Sequence, residues 1–102
     1  MSIKSINDVT RLNNGVLMPR FGLGVWKAKG QEVVDAVTWA IEAGYRHIDT
    51  AAVYGNEKEV GTALQNCGIS RKDLFITSKV AKMGYKEALD SMDQTLSDLQ
   101  TD

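Results

Sequence analysis

The apolar positions of this chain change period along its length, and each change marks an element. Val9 and Leu12 stand before Asn14-Gly15, and Val16 and Leu17 stand after it. Asn-Gly between apolar arms is a two-residue hairpin signal, because both positions of that tight turn take positive φ. Pro19 closes the second arm. "FGLGVW", Phe21 to Trp26, reads as a short strand that runs into a loop. The period then becomes helical. Val33, Val34, Val37, Ala40 and Ile41 share one face of "QEVVDAVTWAIEAG", and Gly44 is a natural stop. "YRHID" returns to strand. Asn56, with Glu59 three positions on, has the look of a capping box. The helix it opens aligns Val60, Ala63, Leu64 and Cys67 before Gly68. "DLFITSK" has the apolar, β-branched content of a strand in a fully covered sheet. A last helix from about Tyr85 to Leu99 puts Ala88, Leu89, Met92, Leu96 and Leu99 on one face.

The order is hairpin, then β, α, β, α, β, α. Strands alternating with helices imply a parallel sheet with helical crossovers, an α/β architecture. Chemistry in such folds gathers at the carboxyl ends of the strands, where Trp26, Asp49 and Lys79 each stand. Alternation puts His47 and Asp49 on one strand face and Ile48 on the other. With Ile48 toward the helices, Asp49 faces the interior near the rim. An unpaired carboxylate there is costly, and Lys79 at the end of the next strand is the obvious counter-charge. Spacing alone is served equally by a structural ion pair or a loop cap.

Tyr54 follows Asp49 by five residues, before Gly55 and a helix start. A phenol titrates near pH 10, and a neighbouring ammonium favours its ionised form. A tyrosine so placed can give a proton to a developing alkoxide. Taken by itself, Tyr54 reads more simply as a packing residue. His47 reads as a hydrogen-bonded interior residue one layer below Asp49, not as a catalyst. Trp26 is placed to wall a pocket or to cover the core. Cys67 has no activating partner and reads as core.

Composition narrows the classes. One domain is expected for 102 residues. A net charge of -1, a pI near 5.8 and no basic block argue against nucleic acid and anionic membranes as partners. One cysteine excludes an internal disulfide. No apolar leader opens the chain and no run approaches the ~20 residues of a span, so a cytoplasmic setting is expected. No metal-ligand cluster is visible, and "GLG" at 22–24 lacks the rest of a dinucleotide fingerprint.

"GLGVW", "AIEAGYRHIDTAAVYGNEKEVGTAL" and "LFITSK" resemble the N-terminal third of the aldo-keto reductases, (β/α)8 barrels that use NADP(H). The resemblance covers nearly the whole chain. It implies that residues 1–102 form a single partial domain: an N-terminal β-hairpin plus three βα units of a TIM barrel, left incomplete. Tyr54 matches the family's proton donor, Lys79 the lysine that lowers its pKa, and Asp49 the acid paired with that lysine. Gly24 and Val25 match backbone and side-chain positions near the nicotinamide end of the cofactor, and Asp49 lies on that side too. Trp26 and Val53 match the substrate pocket beside Tyr54. The implied reaction is hydride transfer to a small aldehyde or ketone, with Tyr54 protonating the new alkoxide.

"VAKMGYKEAL" departs from a longer, tryptophan-containing stretch usual in the family at this place. The family's fourth strand, with its catalytic histidine, and the later loops that hold the adenosine phosphate lie beyond Asp102; His47 does not match that histidine. A full barrel needs about 250 residues. The chain therefore reads as a fragment, expected to be inactive alone and to self-associate through the open edge of its third strand. Two other classes compete: a non-catalytic binding or interaction module of the same fold, and a Schiff-base aldolase built on Lys79. Asp49 argues against the aldolase, since a paired lysine keeps its proton.

Overall fold

Two sheets organise residues 5–102, the part of the chain described by the computed structural model. β1 (Val9–Arg11) and β2 (Leu17–Pro19) pair antiparallel, with Thr10 opposite Met18. Three parallel strands form the second sheet in the order β3 (Leu23–Gly24), β4 (His47–Asp49), β5 (Phe75–Thr77). The register sets Gly24 beside Asp49 and Asp49 beside Thr77. Two helices make the crossovers, α1 (Gly30–Glu42) and α2 (Glu57–Asn66), and α3 (Tyr85–Leu99) follows β5. The architecture is that of an incomplete (β/α)8 barrel with open sheet edges.

The helical spacing read from the sequence is the spacing that packs. Val33, Val37, Ala40 and Ile41 of α1 are buried, and the helix ends where Gly44 turns left-handed at φ 108°. Val60, Ala63 and Leu64 of α2 are buried against them. Ile48 sits fully buried among these side chains, with Val25 beside it. Each such aliphatic side chain contributes about 1.5–3 kcal/mol on burial. That drive orients β4, because turning Ile48 toward the helices turns His47 and Asp49 away from them. Gly61 lets α3 lie directly on α2, where a Cβ would strike the Asp98 carbonyl.

Several expectations are corrected. The hairpin has a three-residue loop: Leu12 N–H donates to the Val16 carbonyl, Gly15 N–H donates to the Leu12 carbonyl, and Gly15 alone turns left-handed, at φ 86°. This is a type I turn closed by one left-handed residue. Asn14 stays out of that region and accepts the Val16 N–H on Oδ1. The strand expected from Phe21 to Trp26 shrinks to Leu23–Gly24. β5 is only half-buried along its length, because a three-stranded sheet has no wall across its inner face. On α3, Thr95 and Leu99 are buried while Leu89 and Met92 are exposed. Asn56 makes no cap bond to α2. Among the described residues, no helix is long and apolar enough to cross a membrane, and no cluster suited to a metal occurs.

Candidate active site

Asp49 leaves β4 on the open face, and β5 brings its partner. Past Thr77 the alternation continues. Ser78 turns back among the helices, where its hydroxyl donates to Glu57 Oε2 at 2.6 Å, and Lys79 returns to the open face. Lys79 Nζ donates to Asp49 Oδ1 at 2.7 Å and to the Thr50 carbonyl at 2.9 Å. The hydrogen bond with Asp49 holds the Lys79 pKa above its ordinary 10.5, against a smaller opposing effect of burial. The Asp49 charge and the Tyr54 phenol push the same way. Lys79 is thus an ammonium at neutral pH, which removes the free amine that a Schiff base requires.

Tyr54 ends a short 3-10 turn, Ala52–Tyr54, closed by Gly55 at φ 71°. The turn lays the phenol ring under the ammonium, with Nζ 5.4 Å from the ring centroid, a cation–π distance. Asp49, Tyr54 and Lys79 therefore meet at one place, as their strand-end positions imply. The expected interior position of Asp49 is corrected. The Asp49 and Lys79 side chains are 41% and 50% exposed, since nothing in these residues covers the inner face.

Trp26 and Val53, after β3 and β4, stand on the same rim, 68% and 78% exposed. Lys27 lies over the Trp26 ring, its Nζ 4.8 Å from the centroid. Gly24 is exposed beside Asp49, and a Cβ there would meet nothing. Val25 does not offer its side chain to the rim: that side chain is 2% exposed, in the core. Only its backbone faces this way, and its N–H donates to the Asp49 carbonyl.

His47 does the structural work expected of it. Nδ1 donates to the Pro19 carbonyl, 3.2 Å away, and Nε2 shares a hydrogen bond with the Thr77 hydroxyl at 2.9 Å. The ring packs edge-on against Phe75. Cys67 is half-buried, and its thiol donates to the Leu64 carbonyl. An open groove of about 470 Å³ runs between β5 and α3 over Ile76, Val80, Met92 and Leu96. Lys79 touches its margin, but neither Tyr54 nor Trp26 lines it, so it is a separate feature from the rim.

Asn56, which the sequence presents as a helix cap, and Glu57, which sequence reasoning passed over, tie the rim together. Asn56, 1% exposed, donates from Nδ2 to the carbonyls of Val25 (2.9 Å) and Ala28 (3.0 Å). Its Oδ1 accepts the Thr50 hydroxyl at 2.9 Å. Glu57 is buried and accepts from Ser78 on one oxygen and from Thr95 on the other. Their signal in the sequence is weak, since Asn and Glu opening a helix read as a cap and a first-turn acid.

The chain is similar to proteins of one family. A family model for the aldo/keto reductase family matches residues 20–102. The chain is 48% identical over 101 residues to the glyoxal reductase of Bacillus subtilis, covering 96% of this chain and 37% of that protein. Among solved structures it superposes on an aldo/keto reductase from Brucella melitensis with a TM-score of 0.89 and 45% identity, covering 93% of this chain and 38% of the other. A Bombyx mori aldo-keto reductase in complex with NADP gives a TM-score of 0.87 at 35% identity, covering 97% of this chain and 36% of that one. The chain spans about a third of the length of the curated relatives it matches.

Proposed function

The chain belongs to the aldo/keto reductase family, and from that premise we propose that it is the N-terminal part of an NADP(H)-dependent reductase of small aldehydes and ketones. The observation that carries the proposal is the Lys79–Asp49 pair at 2.7 Å, with its ammonium 5.4 Å from the Tyr54 ring. In this reading Tyr54 is the proton donor to the substrate oxygen. A fixed ammonium beside a phenol stabilises the phenolate left behind, which eases proton release. Asp49 keeps that ammonium charged and in place. Trp26 and Val53 supply apolar walls for the carbonyl compound.

The residues present fit the nicotinamide end of the cofactor. The open space over Gly24, next to Asp49, lets a flat ring approach the backbone unobstructed. Gly24 and Asp49 would hold it there, with Val25 contributing backbone alone. Bound NADPH supplies the hydride. The NADP complex of the Bombyx mori relative supports this cofactor, and the glyoxal and methylglyoxal reductases among the relatives support small dicarbonyl substrates. The 102 residues by themselves are proposed to be inactive.

A direct test joins residues 1–102 to the remainder of the Bacillus subtilis glyoxal reductase and follows NADPH oxidation with methylglyoxal and with an aromatic aldehyde. Turnover that depends on Tyr54 is expected. A joined barrel that folds and binds NADPH but reduces neither compound would leave the non-catalytic binding module as the better reading.

A further inference from the structure

We infer that Asn56 and Glu57 are positioning residues that lock the three rim segments carrying Trp26, Tyr54 and Lys79 into one arrangement. The inference rests on the reading of this rim as a reductase site. Both residues open α2, and neither is spent on capping it. Asn56 instead uses both amide hydrogens on the carbonyls of Val25 and Ala28, which bracket Trp26. Its oxygen takes the hydroxyl of Thr50, whose own carbonyl takes Lys79 Nζ. One side-chain amide therefore connects the Trp26 loop to the end of β4, from a point two residues past Tyr54.

Glu57 ties the remaining segment. It holds Ser78, the residue before Lys79, and fastens it to Thr95 on α3. Asn56, Glu57 and Thr50 are all buried, so water does not compete for these bonds and loosening any of them leaves a buried polar group unpaired. The bracketed loop also carries an independent mark of restraint. Lys27 sits at φ 67°, a left-handed conformation that a lysine rarely adopts. Such strain persists where the surroundings over-determine the backbone, and Asn56 bonds the residues on either side of the Trp26-Lys27 pair.

The test uses the joined barrel. Asn56→Asp keeps the shape of the side chain and removes both donors. Misplacing reacting groups by about 1 Å costs up to ~100-fold, so kcat should fall at least ~10-fold while NADPH affinity, read by fluorescence titration, stays within about twofold. Thr50→Val and Ser78→Ala each delete one hydroxyl and keep the backbone, and each should lower kcat by about 2–10-fold, the equivalent of one hydrogen bond. Hydrogen exchange is read on the same proteins. Amides at 26–28 and 51–55 should exchange faster in Asn56→Asp, with α1 unchanged. Exchange that rises throughout the chain, or an unchanged kcat per folded molecule, would mean a merely structural role and overturn the inference. An inactive parent barrel whose Asn56→Asp variant still loosens only the rim would sink the proposed function and leave the positioning role standing.

Discussion

Tyr54 and Lys79 act on each other through a ring face and an ammonium, so their substitutions have separable signatures. Tyr54→Phe keeps the ring and removes the proton. In the joined barrel it should cut turnover at least ~100-fold, the low end for a general acid, with NADPH binding intact. Turnover within a few-fold of the parent would take Tyr54 out of the acid role. Lys79→Met removes the charge. Had the pair been buried, breaking it would cost about 3–5 kcal/mol. Both side chains are near half exposed, so urea unfolding of the 102-residue chain should show a loss of no more than ~1 kcal/mol. The pH dependence follows from the raised Lys79 pKa. A group whose folded pKa lies above its unfolded value stabilises fully below the unfolded value and loses that contribution as pH rises through the folded one. The difference between parent and Lys79→Met should thus stay constant from about pH 6 to 9 and shrink only above the ordinary lysine value of 10.5. A difference that vanishes near neutrality would mean the lysine is not held as an ammonium by Asp49.

At the scale of elements, the docking of α3 depends on one missing side chain. Gly61 on α2 meets the backbone of Asp98 and Leu99 with no room for a methyl group. Alanine is the better helix former by ~1 kcal/mol, yet Gly61→Ala must push α3 outward. The overpacking penalty of about 1–3 kcal/mol should win, lowering the unfolding midpoint. A higher midpoint would show that α3 does not pack on α2 as described. The same docking buries the C-terminal end of this helix face. The buried Glu57 carboxylate takes the Thr95 hydroxyl, and Thr95 and Leu99 turn inward, while Met92 on the same face borders the open groove beside β5.

For the whole molecule, the decisive feature is an open sheet. Among the described residues β5 has a neighbour on one side only, and Val80 and Met92 lie exposed along the groove beside it. Unpaired strand edges promote association. The 102-residue chain should therefore show concentration-dependent self-association by light scattering. It should also fail to oxidise NADPH with methylglyoxal or an aromatic aldehyde, because three parallel strands do not hold hydride donor and carbonyl in near-attack geometry. A monomer that turns over would show that far less of a barrel suffices.

The local pattern determined the order of elements, the helix ends at Gly44 and Gly68, and the placing of Asp49 and Lys79 at strand ends with Tyr54 a few residues past the first. These follow from periods of 2 and 3.6 residues and from glycine's tolerance of positive φ, which act between near neighbours in the chain. The tertiary structure alone decided the rest. Whether Asp49 is buried depends on what stands across the sheet. Whether Asn56 caps a helix or brackets a loop depends on carbonyls 28 and 31 residues away. Which stripe of α3 turns inward depends on a carboxylate 38 residues earlier. Burial and long-range hydrogen bonds are set by neighbours in space, and the periodicity of a segment carries no record of them.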